Sequence, residues 1–127
     1  MLLTEPELFD FLKEFYYPDL QMSSDEYSHY DCISKEHKLY IELKSRYTHY
    51  DDLIIEWIKY EALNKAASLH SCIPVYINAT PKGIWKFELW ADLKWETRSL
   101  PATTEFPNKN NKDKLISYLH IKDGVRL

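Results

Sequence analysis

Residues 30–44, Tyr-Asp-Cys-Ile-Ser-Lys-Glu-His-Lys-Leu-Tyr-Ile-Glu-Leu-Lys, constrain the chain more than any other stretch. Alternation predicts two strands, one from about Glu26 to Ile33 and one from Leu39 to Lys44, joined by a charged turn. On the second strand Leu39, Ile41 and Leu43 face one way, and Tyr40, Glu42 and Lys44 the other. A turn centred near Glu36 and His37 sets Asp31 beside Glu42, with facing or diagonal Cβ atoms about 5 to 8 Å apart. Carboxylates that close repel unless a cation neutralises them or one takes a proton. Magnesium suits the first solution, because it commonly takes one or two carboxylates, several waters and a substrate phosphate. Lys44 follows Glu42 on the same face, about 7 Å along the strand. There it can orient an attacking water or stabilise charge developing on a phosphate.

An acid-x-Lys triplet alone is a poor signal, and the chain holds three: Glu36-His37-Lys38, Glu42-Leu43-Lys44 and Asp92-Leu93-Lys94. Only the middle one combines an apolar strand, an upstream aspartate and a helical pattern soon after. The same residues also describe an exposed hairpin face whose mixed charges merely keep a sheet soluble.

Asp31, ten intervening residues and then Glu42-Leu43-Lys44 within Leu-Tyr-Ile-Glu-Leu-Lys resemble the core of the PD-(D/E)XK nuclease superfamily. The resemblance runs from about residue 4 to residue 79, with Tyr30 where the family motif has proline. It implies a restriction-endonuclease-like fold, α-β-β-(β)-α-β, with a mixed sheet flanked by helices in an α/β (mixed α+β) class. It implies Asp31, Glu42 and the Leu43 carbonyl as metal ligands for Mg²⁺, with Mn²⁺ as substitute, and Lys44 as catalytic lysine. Many members add an acid from the first helix, for which Glu14 is the expectation here. The implied activity is metal-dependent phosphodiester hydrolysis, on DNA rather than RNA. A small stand-alone phage-type or resolvase-like protein and a homodimer fit the size. The alternative is a catalytically inactive protein of the same fold that binds nucleic acid or a partner protein as adaptor or inhibitor.

The rest of the sequence sets bounds. At 127 residues the chain suggests one domain, with residues 101–127 expected as a variable C-terminal extension. Its formal charge of −4 offers no general attraction for nucleic acid, so candidate contacts must be local. Arg46, just past Lys44, is the best phosphate-binding candidate because its fork is bidentate. Lys59, Lys35 and Lys38 are further candidates, as are Lys109, Lys112 and Lys114, each of which also reads as a plain solubilising charge. Glu56 and Lys59 are spaced for an i, i+3 ion pair. His29 shares a face with Asp31, and Trp85, Trp90 and Trp95 are core residues or a base-stacking platform. Two glycines exclude a Gly-rich phosphate cradle, and two cysteines without metal-ligand spacing predict buried, reduced thiols in a cytoplasmic protein, host cytoplasm if phage-encoded. No run is long and apolar enough to span a bilayer.

Other elements are expected as follows. A helix runs from Thr4 to about Tyr17, with a Thr4/Glu7 capping box and a stripe of Leu8, Phe11, Leu12 and Phe15. Residues 21–26 are a polar connection. A second helix spans Asp51 to Leu69, capped by Thr48 and Asp51, with Ile54, Trp57, Ile58 and Leu63 on its apolar side and Ala62 and Ala66 beside them. Ile73 to Ala79 is a strand, Thr80 to Gly83 a turn, and Ile84 to Trp95 one long strand or two shorter ones. Pro101 to Asp113 reads as a surface loop, and Leu115 to Ile121 as a short helix or strand.

Overall fold

A computed structural model describes residues 2–23, 31–89, 92–101 and 111–127. Helix α1 covers Glu5–Phe15. Its capping box forms as expected: Glu7 N donates to Thr4 Oγ1, and Thr4 N donates to Glu7 Oε1 at 3.0 Å. Leu8 and Leu12 are fully buried, each contributing about 2 kcal/mol of hydrophobic stabilisation. Phe15, expected in that stripe, is 64% exposed and packs sideways on Phe11 instead, because the helix stops there before Pro18. The expected polar connection contains a short edge strand, β1 (Gln21–Met22), antiparallel to β2 (Asp31–Ser34).

The hairpin forms in the expected register. β2 pairs with β3 (Leu39–Ser45), placing Asp31 opposite Glu42 and Ser34 opposite Leu39. Residues 35–38 make the turn, and Lys38 closes it in the left-handed region at φ 55°. Residues 24–30 and with them His29 lie outside the described residues.

The expected second helix is too long at its start. Residues Asp52–Glu56 form strand β4, and helix α2 begins only at Trp57 and ends at Leu69. Thr48 and Asp51 cap nothing; Asp51 instead meets the His49 ring at 2.9 Å. Leu53 and Ile55 are buried by strand alternation, whereas Ile58, assigned to a helical core face, is 74% exposed. The helix buries Leu63 and Ala67, and Ala62 lies on its exposed side.

β5 (Ile73–Thr80) runs parallel to β3, and the β4–α2 segment supplies the long crossover that a parallel pair requires. Gly83 opens β6 (Gly83–Glu88) at φ +151°, a conformation other residues rarely adopt. Among the described residues of Ile84 to Trp95 the strand structure is β6 alone, which ends at Glu88, with residues 90 and 91 outside the described residues; β7 starts at Glu96 and reaches Pro101. Leu115 to Ile121 resolves as strand: β8 spans Asn111–His120, taking in the end of the expected loop, before a 3₁₀ turn at Ile121–Asp123. β9 (Val125–Arg126) pairs with β6.

The described residues form a mixed α+β fold with two α-helices. The main mixed sheet has the order β1-β2-β3-β5-β6-β9, and a three-stranded antiparallel sheet has the order β4-β8-β7. One core packs α1 on Ile41, Leu43, Val75 and Ile77. The opposite core packs α2, β4 and β8 on Tyr40, Tyr76, Trp85 and Phe87. Asp31, Glu42 and Lys44 lie on this second face. Among the described residues no helix is long and apolar enough to cross a membrane.

Candidate metal centre

Strand pairing gathers the three motif residues. Asp31 stands directly across from Glu42, so their Cβ atoms are about 5 Å apart, and Lys44 follows on the same side of β3. The parallel register with β5 sets Tyr76 beside Glu42 and Asn78 beside Lys44. Helix α2 overhangs the pair and brings Lys59 Nζ to 4.0 Å from Glu42 Oε1.

Burial decides the electrostatics. The Glu42 side chain is only 15% exposed, and its carboxyl is pushed up to about 7, first by loss of water and then by the Asp31 charge. Lys59 and Lys44 pull it back down, and Glu56 adds to the rise. Lys44 is held below the usual ammonium range, chiefly by burial and then by the Arg46 charge, while Glu5 and Glu42 oppose the shift. Two carboxylates set face to face are the hard oxygen donors that a divalent cation such as magnesium takes. The Leu43 side chain points into the opposite core, so only its main-chain carbonyl could join them.

The remaining candidates divide. Arg46 is committed to the fold: Nε donates to Asn78 Oδ1 at 2.6 Å, and Nη2 donates to the Ile54 carbonyl and to the Tyr76 hydroxyl at 3.1 Å. That clamp ties β3 to β4 and β5, and burial pushes the Tyr76 phenol up to about 12. Asn78 is fully buried, and its amide orientation follows from Arg46, which leaves Nδ2 without a partner among the described residues. Lys35 and Lys38 are exposed in the hairpin turn, and even Lys38 is about 13 Å back along β3 from Glu42. They do not join the site.

Glu14 is not brought to the site either. The acid on α1 that interacts with Lys44 is Glu5, which shares a hollow with it. Nine residues separate Glu5 from Glu14, placing them about 13 Å apart along the axis on opposite faces of the helix. Glu56, read as the i, i+3 partner of Lys59, binds Lys114 on β8 at 2.9 Å, which frees Lys59 to face Glu42. Sequence reasoning thus missed Glu5 and Glu56 as neighbours of the site. The Thr4 cap located the start of α1 but not which way its first turn points. The strand that aims Glu56 was hidden inside a supposed helix.

Trp85 is a core residue, 7% exposed, packed beside His49 and under Arg126, and Trp95 stacks edge-on against Trp57 and Tyr60. Trp90 and Lys109 lie outside the described residues. Cys32 is buried with its thiol pushed up to about 12, and Cys72 is half-buried. A second group, Asp19, Glu36 and His37, places ligand atoms within 4.8 Å of one another. Asp19 already has a structural task there, accepting from Ser34 Oγ at 2.7 Å and Glu36 N at 3.0 Å to brace the hairpin turn. Scans against protein-family models, curated proteins and solved structures found no match to this chain.

Proposed function

We propose that the protein is a metal-dependent nuclease, acting on DNA in preference to RNA. The observation that carries this reading is the Asp31–Glu42 pair, locked face to face by strand register with Lys44 next on the same side. Folding gains little from burying a carboxyl against a second carboxyl, and the arrangement makes sense if a cation relieves it. With the two-residue edge strand β1 set aside, the elements run α1, β2, β3, β4, α2, β5, which supports the reading as far as chain order goes, but β4 pairs into the small sheet and not beside the hairpin.

In this reading Asp31 and Glu42 hold Mg²⁺ or Mn²⁺, with the Leu43 carbonyl as a further donor. A bound divalent ion would supply Lewis-acid polarisation of the phosphate and a more acidic water. The chain's own groups do the rest. Lys44 sets its ammonium beside the carboxylates, where its lowered proton affinity suits exchange with the attacking water. Lys59 supplies a second positive charge over Glu42 for the bridging or leaving oxygen. Half-burial of both groups keeps these interactions strong by limiting bulk water.

Cleavage is tested on duplex, single strand, flap, four-way junction and RNA with Mg²⁺ or Mn²⁺, beside EDTA and Lys44→Ala. Metal-dependent cutting that is lost in the variant supports the reading. Absence of cutting on every substrate by folded protein refutes it.

A further inference from the structure

Past Lys44 the surface continues into two open hollows that share Arg46 and Tyr50 and so form one trough. It starts beside Lys44, passes Arg46, Tyr47 and Tyr50, and ends at Arg98 and Tyr118 on the outer face of the small sheet. The first hollow alone measures about 560 Å³, within the usual range for small-ligand sites.

The tyrosines in it are unusually bare. Tyr47 is 90% exposed, Tyr50 62% and Tyr118 37%, although each ring has a large apolar body that water solvates poorly. The trough's formal charges cancel, since Glu5, Asp51 and Asp52 line it along with Lys44, Arg46 and Arg98. Arg46 is moreover tied down by Asn78, Ile54 and Tyr76, so it lends charge to the floor and not a mobile fork.

These facts separate two kinds of nucleic acid. A duplex hides its base faces and presents one negative charge per about 1.7 Å of axis, so its binding leans on dense positive charge. An unpaired strand offers a π-face at every base, and stacking on aromatic side chains needs little net charge. Resting on the nuclease reading, we propose that the trough takes single-stranded nucleic acid, its bases stacked on Tyr47 and Tyr50 and its backbone led toward Lys44. The substrate class is then an unpaired strand or single-stranded tail rather than an intact duplex.

The test is fluorescence anisotropy with labelled oligo(dT), oligo(U) and a blunt duplex of equal length, all in EDTA so that binding is read without cleavage. Expected is about tenfold or greater preference for a single strand over duplex, with a shallow salt dependence of about two released counterions. The dT and U arms both count as the single strand in that comparison. Tyr47→Ala with Tyr50→Ala weakens single-strand binding by about tenfold per ring, while the two Phe variants, which keep the stacking face, bind as the parent does. Both rings are largely exposed, so the variants fold, and urea melts check it. Duplex binding equal to or tighter than single-strand binding overturns the proposal. So does an unaffected alanine variant, or no binding at all. Tyrosine-dependent binding without cleavage on any substrate sinks the nuclease reading alone; cleavage without tyrosine-dependent binding sinks only this one.

Discussion

Replacing Glu42 by glutamine tests whether the buried carboxyl carries the strain assigned to it. Its carboxyl rises from 4.5 to about 7 on folding, and each tenfold gain in proton affinity corresponds to about 1.4 kcal/mol. The folded state therefore carries a cost of roughly 3 kcal/mol once Glu42 is ionised, or about 2 after allowing for its residual contact with water. The sign follows from proton counting. Between about pH 4.5 and about pH 7 the folded chain holds a proton at Glu42 that the unfolded chain has released, so stability contributed by this group falls as pH rises through that window. Glutamine mimics the protonated acid and does not titrate. The variant should match the parent near pH 4.5 and exceed it by about 2 to 3 kcal/mol near pH 8, a shift of roughly 10 °C in melting temperature. Urea titrations of both proteins across this range in EDTA measure the difference directly. Adding Mg²⁺ near pH 8 should then close the gap by stabilising only the parent. A gap that does not change with pH, or a glutamine variant weaker than the parent near pH 8, would refute the reasoning.

Two further outcomes follow from the packing. Arg46→Ala removes the donor to the side-chain carbonyl of buried Asn78 and leaves the Ile54 carbonyl only the longer bond from the Tyr76 hydroxyl, and should cost about 3 kcal/mol in urea melts. Arg46→Lys should recover little, because one ammonium cannot span those acceptors as a planar fork does. Ile55→Ala should cost about 3 kcal/mol and Ile58→Ala close to nothing; equal losses at both would contradict the strand-then-helix boundary at Glu56.

What could be read from the sequence was whatever close neighbours along the chain determine. The Thr4–Glu7 cap and the four-residue turn before Leu39 are local devices, and they set α1 and the register that joins Asp31 to Glu42. β4 escaped because Leu53, Ile54 and Ile55 form a short apolar run that suits a helix or a strand equally, and its partner is β8 far downstream. The same blindness transferred Glu56 from Lys114 to Lys59. For α1, periodicity gives the buried stripe but not the direction from which β3 approaches, so it does not distinguish Glu14 from Glu5, the acid that interacts with Lys44. Arg46 looked like a free phosphate ligand because nothing nearby announces Asn78 and Tyr76, which arrive on β5.

The pairing of β4 with β8 has a kinetic consequence. β3 and β5 are joined by a crossover of moderate length, but Glu56 meets Ile116 only after about 60 further residues have been made. Closing so long a loop costs entropy before any contact rewards it. During synthesis the residues of the hairpin that carries Asp31, Glu42 and Lys44 are therefore all made well before the small sheet beside it can form. Until β8 emerges, Glu56 lacks Lys114, and the trough's far wall of Arg98 and Tyr118 has no sheet to stand on. A nascent chain would possess the acidic pair before it possessed the far wall of the trough beside it.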